Sequence, residues 1–412
     1  MRFAGGKRIL ITGVTGFVGS YLAKHLIDSG SEVYGILRRR ADWSPPQNLV
    51  DRGIYNNLHL HLIEGDLLDV TCIAKALDVS EPEVIFHLGA QSFVPQSFLN
   101  PVETMQINCI GTLNLLEAVR IKNVDAVIVF AGSSEEYGLV IGSEKQYEKI
   151  KASGKTVFPE PERIPELPIK ETNPLRPMSP YAVSKVYGDY LFRNYYHSYG
   201  LKTVVSRAFN HEGAGRGKMF VTSNIALQVM KLKFGEADKI EIGNVNAFRD
   251  WSHVNDIVEG YCLLAEKGKY GDVYNQGSMR TNSVLSYLLL SLEMAGYKVD
   301  KIETFNGEKV VRNPTEIVDG RFYGVKFEMT IVDELMLSDE LSFELKDRGI
   351  TVFTDKGRVP VEFDQKRFRP AEVPILLSDI EKVNKIGFRV NYSLKDIIRD
   401  QLNYYLDARK RL

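Results

Sequence analysis

The run Arg8–Thr12, apolar and β-branched after its first residue, leads at once into Gly13-Val14-Thr15-Gly16-Phe17-Val18-Gly19 and then into an amphipathic stretch ending near Asp28. A TGxxGxxG triple between a strand and a helix leaves few folds open. The first glycine permits a tight turn, the second lets backbone approach a pyrophosphate at the positive end of the helix, and the third lets helix and strand pack closely. The spacing therefore predicts a dinucleotide-binding β-turn-α unit contacting its ligand through Gly13, Thr15, Gly16, Phe17, Val18 and Gly19.

The same alternation continues to about Asn210. Short β-branched runs at Glu32–Leu37, Leu58–Glu64, Glu83–Leu88, Ala126–Ala131 and Thr203–Ala208 are separated by helical stretches such as Gly111–Ile121. That pattern predicts an α/β fold, a doubly wound parallel sheet of Rossmann type with both faces covered. A chain of 412 residues, 44% of them hydrophobic, is long enough for a main domain plus a smaller one. We expect the first over 1–210 and a mixed α/β substrate domain over 211–412, with some chain returning to the main sheet. In the latter, Val221–Lys233, His253–Ala265, Ser283–Ala295 and Ser393–Leu406 read as helices. Two stretches, 139–173 and 300–364, read as insertions, the second as short strands with turns.

At the end of the second strand an NAD-selecting site places an acid that accepts from the ribose 2′-hydroxyl. This chain reads Ile36-Leu37-Arg38-Arg39-Arg40. Guanidinium groups complement a 2′-phosphate, so Arg38 and Arg39 point to NADP, while Asp42 just beyond leaves NAD open.

Ser179-Pro180-Tyr181-Ala182-Val183-Ser184-Lys185 sets a tyrosine and a lysine four residues apart behind a Ser-Pro helix start, which puts both on one helical face. A lysine ammonium beside a phenol, near a positive nicotinamide, favours phenolate and suits Tyr181 to exchange a proton with a sugar hydroxyl. After the run ending at Ala131 comes Gly132-Ser133-Ser134-Glu135-Glu136-Tyr137, at the sheet edge that faces a ligand crevice. Ser133 can hydrogen-bond the reacting hydroxyl. Glu135 offers a base where an oxidised sugar presents an acidic C5 proton. The expected catalytic set is Ser133, Glu135, Tyr181 and Lys185.

A net charge of −1 leaves no excess of cation to track a nucleic-acid backbone, so an anionic partner is small and locally bound. Three scattered cysteines suit reduced thiols. The seven histidines show no ligand spacing, and His59 and His61 alternate on one strand, so no metal is expected. With no signal-peptide pattern and no apolar run of about 18 residues, we expect a cytoplasmic protein.

With these motifs in hand, the chain resembles the extended short-chain dehydrogenase family and, within it, the GDP-mannose 4,6-dehydratases, nearly end to end. Besides the glycine and Tyr/Lys motifs the likeness rests on Gly65-Asp66-Leu67, Leu88-Gly89-Ala90-Gln91-Ser92, Phe209-Asn210-His211-Glu212, Arg216-Gly217 with Phe220-Val221-Thr222, Arg249-Asp250-Trp251, and the run from Arg367 through Arg369 and Glu372 to Val373. The resemblance implies that Arg38, Arg39, Asp66, Leu67 and the loop Leu88, Gly89, Ala90, Gln91 and Ser92 hold NADP, with His211 and Arg216 at its nicotinamide and phosphate side. It implies that Ser92, Ser134, Asn210, Val221, Arg249, Arg369 and Glu372 face a sugar nucleotide, GDP-mannose first, in a homodimer or homotetramer. The chain departs from the family pattern at Ser133, where threonine is usual, and at Glu103, Gly215 and Ser223-Asn224.

The expected reaction is a 4,6-dehydration: C4 oxidation with Tyr181 as base, C5 proton removal by Glu135, loss of water, and return of the hydride to C6. A 4-epimerase needs the same Tyr/Lys pair but no C5 base, a dehydratase of another NDP-hexose needs all four residues, and a binding module would need neither Tyr181 nor Lys185.

Overall fold

The computed structural model describes residues 5–38, 44–368 and 373–412. Strands β1 (Arg8–Thr12), β2 (Glu32–Leu37), β3 (Leu60–Glu64), β4 (Val84–His87), β5 (Val127–Ala131) and β6 (Lys202–Ala208) join Val273–Gln276 in a parallel sheet. Its order is Val273–Gln276, β6, β5, β4, β1, β2, β3. The chain leaves β1 in opposite directions toward β2 and β4, so a crevice opens beyond the carboxyl ends of β1 and β4, where such sheets bind ligands. Ile9 to Thr12 of β1 are all buried, as a strand covered on both faces requires.

One sheet face is covered by helix α1 (Phe17–Asp28) and by Val254–Lys267, through Leu22, Leu26, Ile257, Val258 and Leu264. The other carries Val70–Ser80, Gly111–Ile121 and Pro180–Tyr199, through Ile73, Leu115, Leu116 and Phe192. The predicted strands lie within two residues of those observed; β3 begins at Leu60 because Leu58 is 88% exposed and has no core to join.

The chain beyond 210 is shared between the lobes. Val273–Gln276 pairs with β6, and Val254–Lys267 packs on α1. The second lobe gathers Val221–Lys233, Val284–Met294 and Leu394–Tyr404 around Trp251, Tyr287 and Leu288. The stretch 300–364 supplies most of a second sheet, ordered Val310–Arg312, Val299–Thr304, Gly349–Thr354, Gly357–Phe363 and Ile240–Ile242, plus the hairpin Ile317–Phe322 with Val325–Thr330. The other insertion carries the helix Glu144–Ala152 and is tied down by a buried pair: Arg176 donates to both Glu166 carboxylate oxygens at 2.7 and 2.8 Å.

Candidate active site

The glycine loop is built as its spacing predicts. Gly13 has φ +75°, and a side chain there would meet the Gly89 amide at 2.9 Å. A Cβ on Gly19 would lie 2.1 Å from the Gly13 carbonyl oxygen. Gly16 caps α1 with no side chain on the first helical N–H groups, so that end presents donors and a positive dipole to an anion.

Strand ends β1 and β4 are locked together behind the loop. Thr12 Oγ1 accepts from the Gly89 amide at 2.9 Å and lies 2.7 Å from His87 Nδ1, whose Nε2 is 2.9 Å from Thr112 Oγ1. Burial, then the charge of Lys185, lowers the His87 pKa to about 3, so the ring is neutral. Leu67 fills the space left by Gly89 and Gly111, and Asn114 donates to its carbonyl at 2.9 Å. Asp66 is exposed and accepts from the Leu68 amide at 2.9 Å. Arg38 stands exposed at the end of β2; Arg39 lies outside the described residues.

Asn108 escaped the sequence reading. It lies in the π-helical turn Gln106–Ile110 and holds the Leu88–Ser92 loop, accepting from Gln91 N–H at 2.8 Å and donating to the Gln91 carbonyl at 3.0 Å and to Ser184 Oγ at 2.9 Å. A single inserted turn of this kind often marks a site, but no spacing in the sequence announces it.

Ser179 caps the helix Pro180–Tyr199 by accepting from the Ala182 amide at 3.0 Å, with Pro180 in the first turn. Tyr181 and Lys185 follow on its inner face, both buried. The Ser133 side chain favours the ionised form of the Tyr181 phenol, and Lys185 Nζ donates to the Ala131 carbonyl at 2.7 Å, 5.8 Å from the Tyr181 ring centre. The expected depression of the tyrosine is not what the protein alone produces. Burial pushes Tyr181 up to about 12 against the opposing influence of Ser133, while burial pulls Lys185 down to about 8. The ammonium is aimed at Ala131 rather than at the phenol, so desolvation outweighs charge here.

Glu135 is buried at the end of β5, close enough that its charge raises Tyr181, and the Arg216 charge acts oppositely. His211 is the next wall. Its Nδ1 lies 2.8 Å from the Phe209 carbonyl, which can only accept, so Nε2 is left as an acceptor. Burial, reinforced by Arg216, lowers its pKa to about 4. Arg216 stacks 3.6 Å over the Phe220 ring and 5.2 Å over Phe17, with Nε 3.5 Å from Glu212. Its buried Nε makes no hydrogen bond, and neither does buried Asn210 Oδ1. Orphaned polar atoms beside an uncapped helix end and a side-chain-free glycine cradle fit a dinucleotide.

On the second lobe, the pairing of Asn210–Glu212 with Trp251–His253 sets Asn210 opposite Trp251. Arg249 is buried and donates to the Phe248 carbonyl at 2.9 Å and the Val373 carbonyl at 2.7 Å. Neighbouring Asp250 is taken by other donors, the amide and hydroxyl groups of Ser278 and Ser378. Ser134 is buried beside Glu135, Ser92 is exposed, and Val221 opens its helix at the surface. Arg369 and Glu372 lie outside the described residues. Among the described residues no group of three or more His, Cys, Asp or Glu could hold a metal ion, and no helix is long and apolar enough to cross a membrane. His59 and His61 both contact the Glu32 carboxylate, at 2.7 and 2.8 Å.

The model of the NAD dependent epimerase/dehydratase family matches residues 9–277. A GDP-mannose 4,6-dehydratase of Yersinia enterocolitica is 32% identical over 96% of this chain and 93% of its own. Among solved structures, RMD from Pseudomonas aeruginosa complexed with NADPH is similar in fold, with a TM-score of 0.65, 22% identity and coverage of 98% and 99% of the two chains. So is the UDP-glucose 4-epimerase of Thermus thermophilus complexed with NAD, with a TM-score of 0.64, 22% identity and coverage of 97% and 99%. This chain therefore belongs to the NAD dependent epimerase/dehydratase family of extended short-chain dehydrogenases, enzymes acting on nucleotide sugars with a nicotinamide cofactor.

Proposed function

We propose that the chain is an NADP-dependent sugar-nucleotide 4,6-dehydratase whose substrate is GDP-mannose. The observation that carries this reading is Glu135, a carboxyl buried at a strand end within electrostatic reach of Tyr181. Hydride transfer alone gives that acid nothing to do. The near full-length likeness to GDP-mannose 4,6-dehydratases supports the same substrate class, and Arg38 at the end of β2, followed in sequence by Arg39, favours NADP over NAD.

Ser133 holds the sugar O4 hydroxyl and Tyr181 accepts its proton, with the Lys185 ammonium offsetting the phenolate. The nicotinamide, when bound, supplies the acceptor for hydride from C4 and the donor that returns it to C6. The C4 ketone acidifies C5, and Glu135 removes that proton. The same carboxyl, now protonated, gives its proton to the departing C6 hydroxyl so that water leaves, and as hydride reaches C6 the proton held by Tyr181 passes to C5, so both residues end as they began. His211 and Arg216 line the cofactor side; Ser92, Ser134, Asn210, Val221 and Arg249, joined by Arg369 and Glu372, take the sugar nucleotide. The enzyme works as a homodimer or larger homo-oligomer in the cytoplasm.

Purified protein with NADP is incubated separately with GDP-mannose, dTDP-glucose, UDP-glucose and CDP-glucose, and the products are weighed by mass spectrometry. Loss of one water from GDP-mannose is the expected result. Loss from another of the four corrects the substrate, and an isomer of unchanged mass makes the chain an epimerase.

A further inference from the structure

The second acid of the strand-end loop, Glu136, has no part in the reaction just described, yet it is completely buried beneath it. Its Oε1 accepts from the Ser133 amide at 2.7 Å while Ser133 Oγ accepts from the Glu135 amide at 3.2 Å, a reciprocal cap that fixes the turn bearing both residues. The fit is close: a Cβ on Gly132 would lie 2.6 Å from that same Oε1. Glu136 Oε2 makes no hydrogen bond and lies 3.3 Å from Arg207 Nε. Arg207 is itself shared, donating to Asp189 at 2.9 Å, to the Tyr137 hydroxyl at 3.1 Å and to the Glu171 carbonyl at 3.0 Å. Asp189 also takes Arg193 at 2.7 Å.

A neutral glutamine or asparagine could accept one amide hydrogen as well as a carboxylate does, and without the desolvation cost. What the carboxyl adds is charge. Lys185 and Tyr181 on the helix, Glu135 and Tyr137 on the loop, Arg207 on β6 and Asp189 on the helix all face that charge or its partners. We propose that Glu136 is a positioning residue for the Ser133–Tyr181–Lys185 centre: its carboxyl fixes the turn that bears Ser133 and gives the centre a buried negative charge that the Lys185 ammonium answers. This role deepens the dehydratase reading and rests on it.

The electrostatics agree. Burial and the neighbouring Asp189 push Glu136 up, with Arg207 opposing, and Glu136 is the main influence holding Lys185 up against burial. An acid and a base thus ionise in one range, each favouring the charged form of the other.

The test compares wild type, E136Q and E136D, using whichever of the four sugar nucleotides the wild type dehydrates. E136Q keeps an acceptor for Ser133 and loses only the charge. Its kcat profile should lose its alkaline limb roughly one pH unit earlier, with the acid limb and KM little changed. E136D, still charged, should keep the wild-type limb. E136N, which also carries a neutral amide oxygen, gives the same comparison if E136Q does not fold. A second readout needs no substrate. Because the folded Glu136 pKa lies above its ordinary 4.5, wild type should lose melting temperature relative to E136Q as pH rises from about 4.5 to about 8. Coincident alkaline limbs, or a melting difference flat with pH, overturn the role. A wild type that dehydrates none of the four overturns the functional reading instead. The melting difference then still supports the buried coupling if it grows with pH and overturns it if it does not.

Discussion

Burial sets the resting protonation of the groups around Tyr181. The phenol is pushed up to about 12 and Lys185 down to about 8, so in the reading proposed here the base becomes competent when a positive nicotinamide lies beside it. Tyr181→Phe should lower kcat by about 10²–10⁴-fold with cofactor affinity retained, and a steady-state assay with a cofactor titration checks both. His211 and His87 carry a different prediction. Both rings have folded values, about 4 and about 3, below the ordinary 6.5. The stability owed to their neutral forms is therefore complete above about 6.5 and lost as pH falls toward about 4 for His211 and about 3 for His87. Thermal melts should fall across that window, and H211Q should flatten part of the slope; a slope that H211Q leaves unchanged assigns it elsewhere. Tyr181, Lys185, Ser133 and Glu135 could be read from the sequence because each stands at a fixed offset from a helix start or a strand end. Asn108 and Arg207 could not, because their partners lie 17 to 76 and 18 to 70 residues away, and only folding brings them together.

Among the elements, the loop between β1 and α1 is the least forgiving. With a Cβ only 2.1 Å from the Gly13 carbonyl, Gly19→Ala must separate helix from strand. Overpacking of that kind costs about 1–3 kcal/mol, so G19A should melt earlier and bind dinucleotide more weakly, as calorimetry would show. The insertion 139–173 is tied down at several points, of which the Glu166–Arg176 pair is the buried ion pair. Removing Glu166 leaves the Arg176 guanidinium buried without its carboxylate, worth about 3–5 kcal/mol. Breaking the exposed Lys145–Asp339 pair between the two insertions should cost at most about 1 kcal/mol. Urea unfolding of E166A and K145A measures the contrast. The strands of the first lobe were legible as short β-branched runs covered on both faces, and its helices by apolar residues at a period of 3.6. The insertion was legible only as an interruption, since it is held by scattered long-range bonds and not by a pattern.

Across the whole molecule, a glycine-rich crevice at the carboxyl edge of a parallel sheet faces a second lobe that carries Arg249. The division drawn at residue 210 follows the sequence pattern, whereas a helix and a strand from beyond it complete the first lobe. Their apolar residues look the same whichever core they join, so composition could not assign them. Val183, Tyr187 and Tyr190 repeat at helical spacing on the outer face of Pro180–Tyr199 and are 36–56% exposed, a surface suited to a second copy of the chain. Light scattering should report a dimer or tetramer, and Y190E should shift it toward monomer; a monomeric wild type at micromolar concentration contradicts that assembly.

The central claim is that Glu135 makes this short-chain dehydrogenase a dehydratase, and E135Q tests it most directly. GDP-mannose and NADP are mixed with wild type and with E135Q, while reduced-nicotinamide absorbance and product mass are followed together. The variant should still oxidise C4, seen as absorbance that rises and stays, and release water about 10²–10⁴-fold more slowly. An E135Q enzyme that forms the 4-keto-6-deoxy product at close to the wild-type rate would contradict the account.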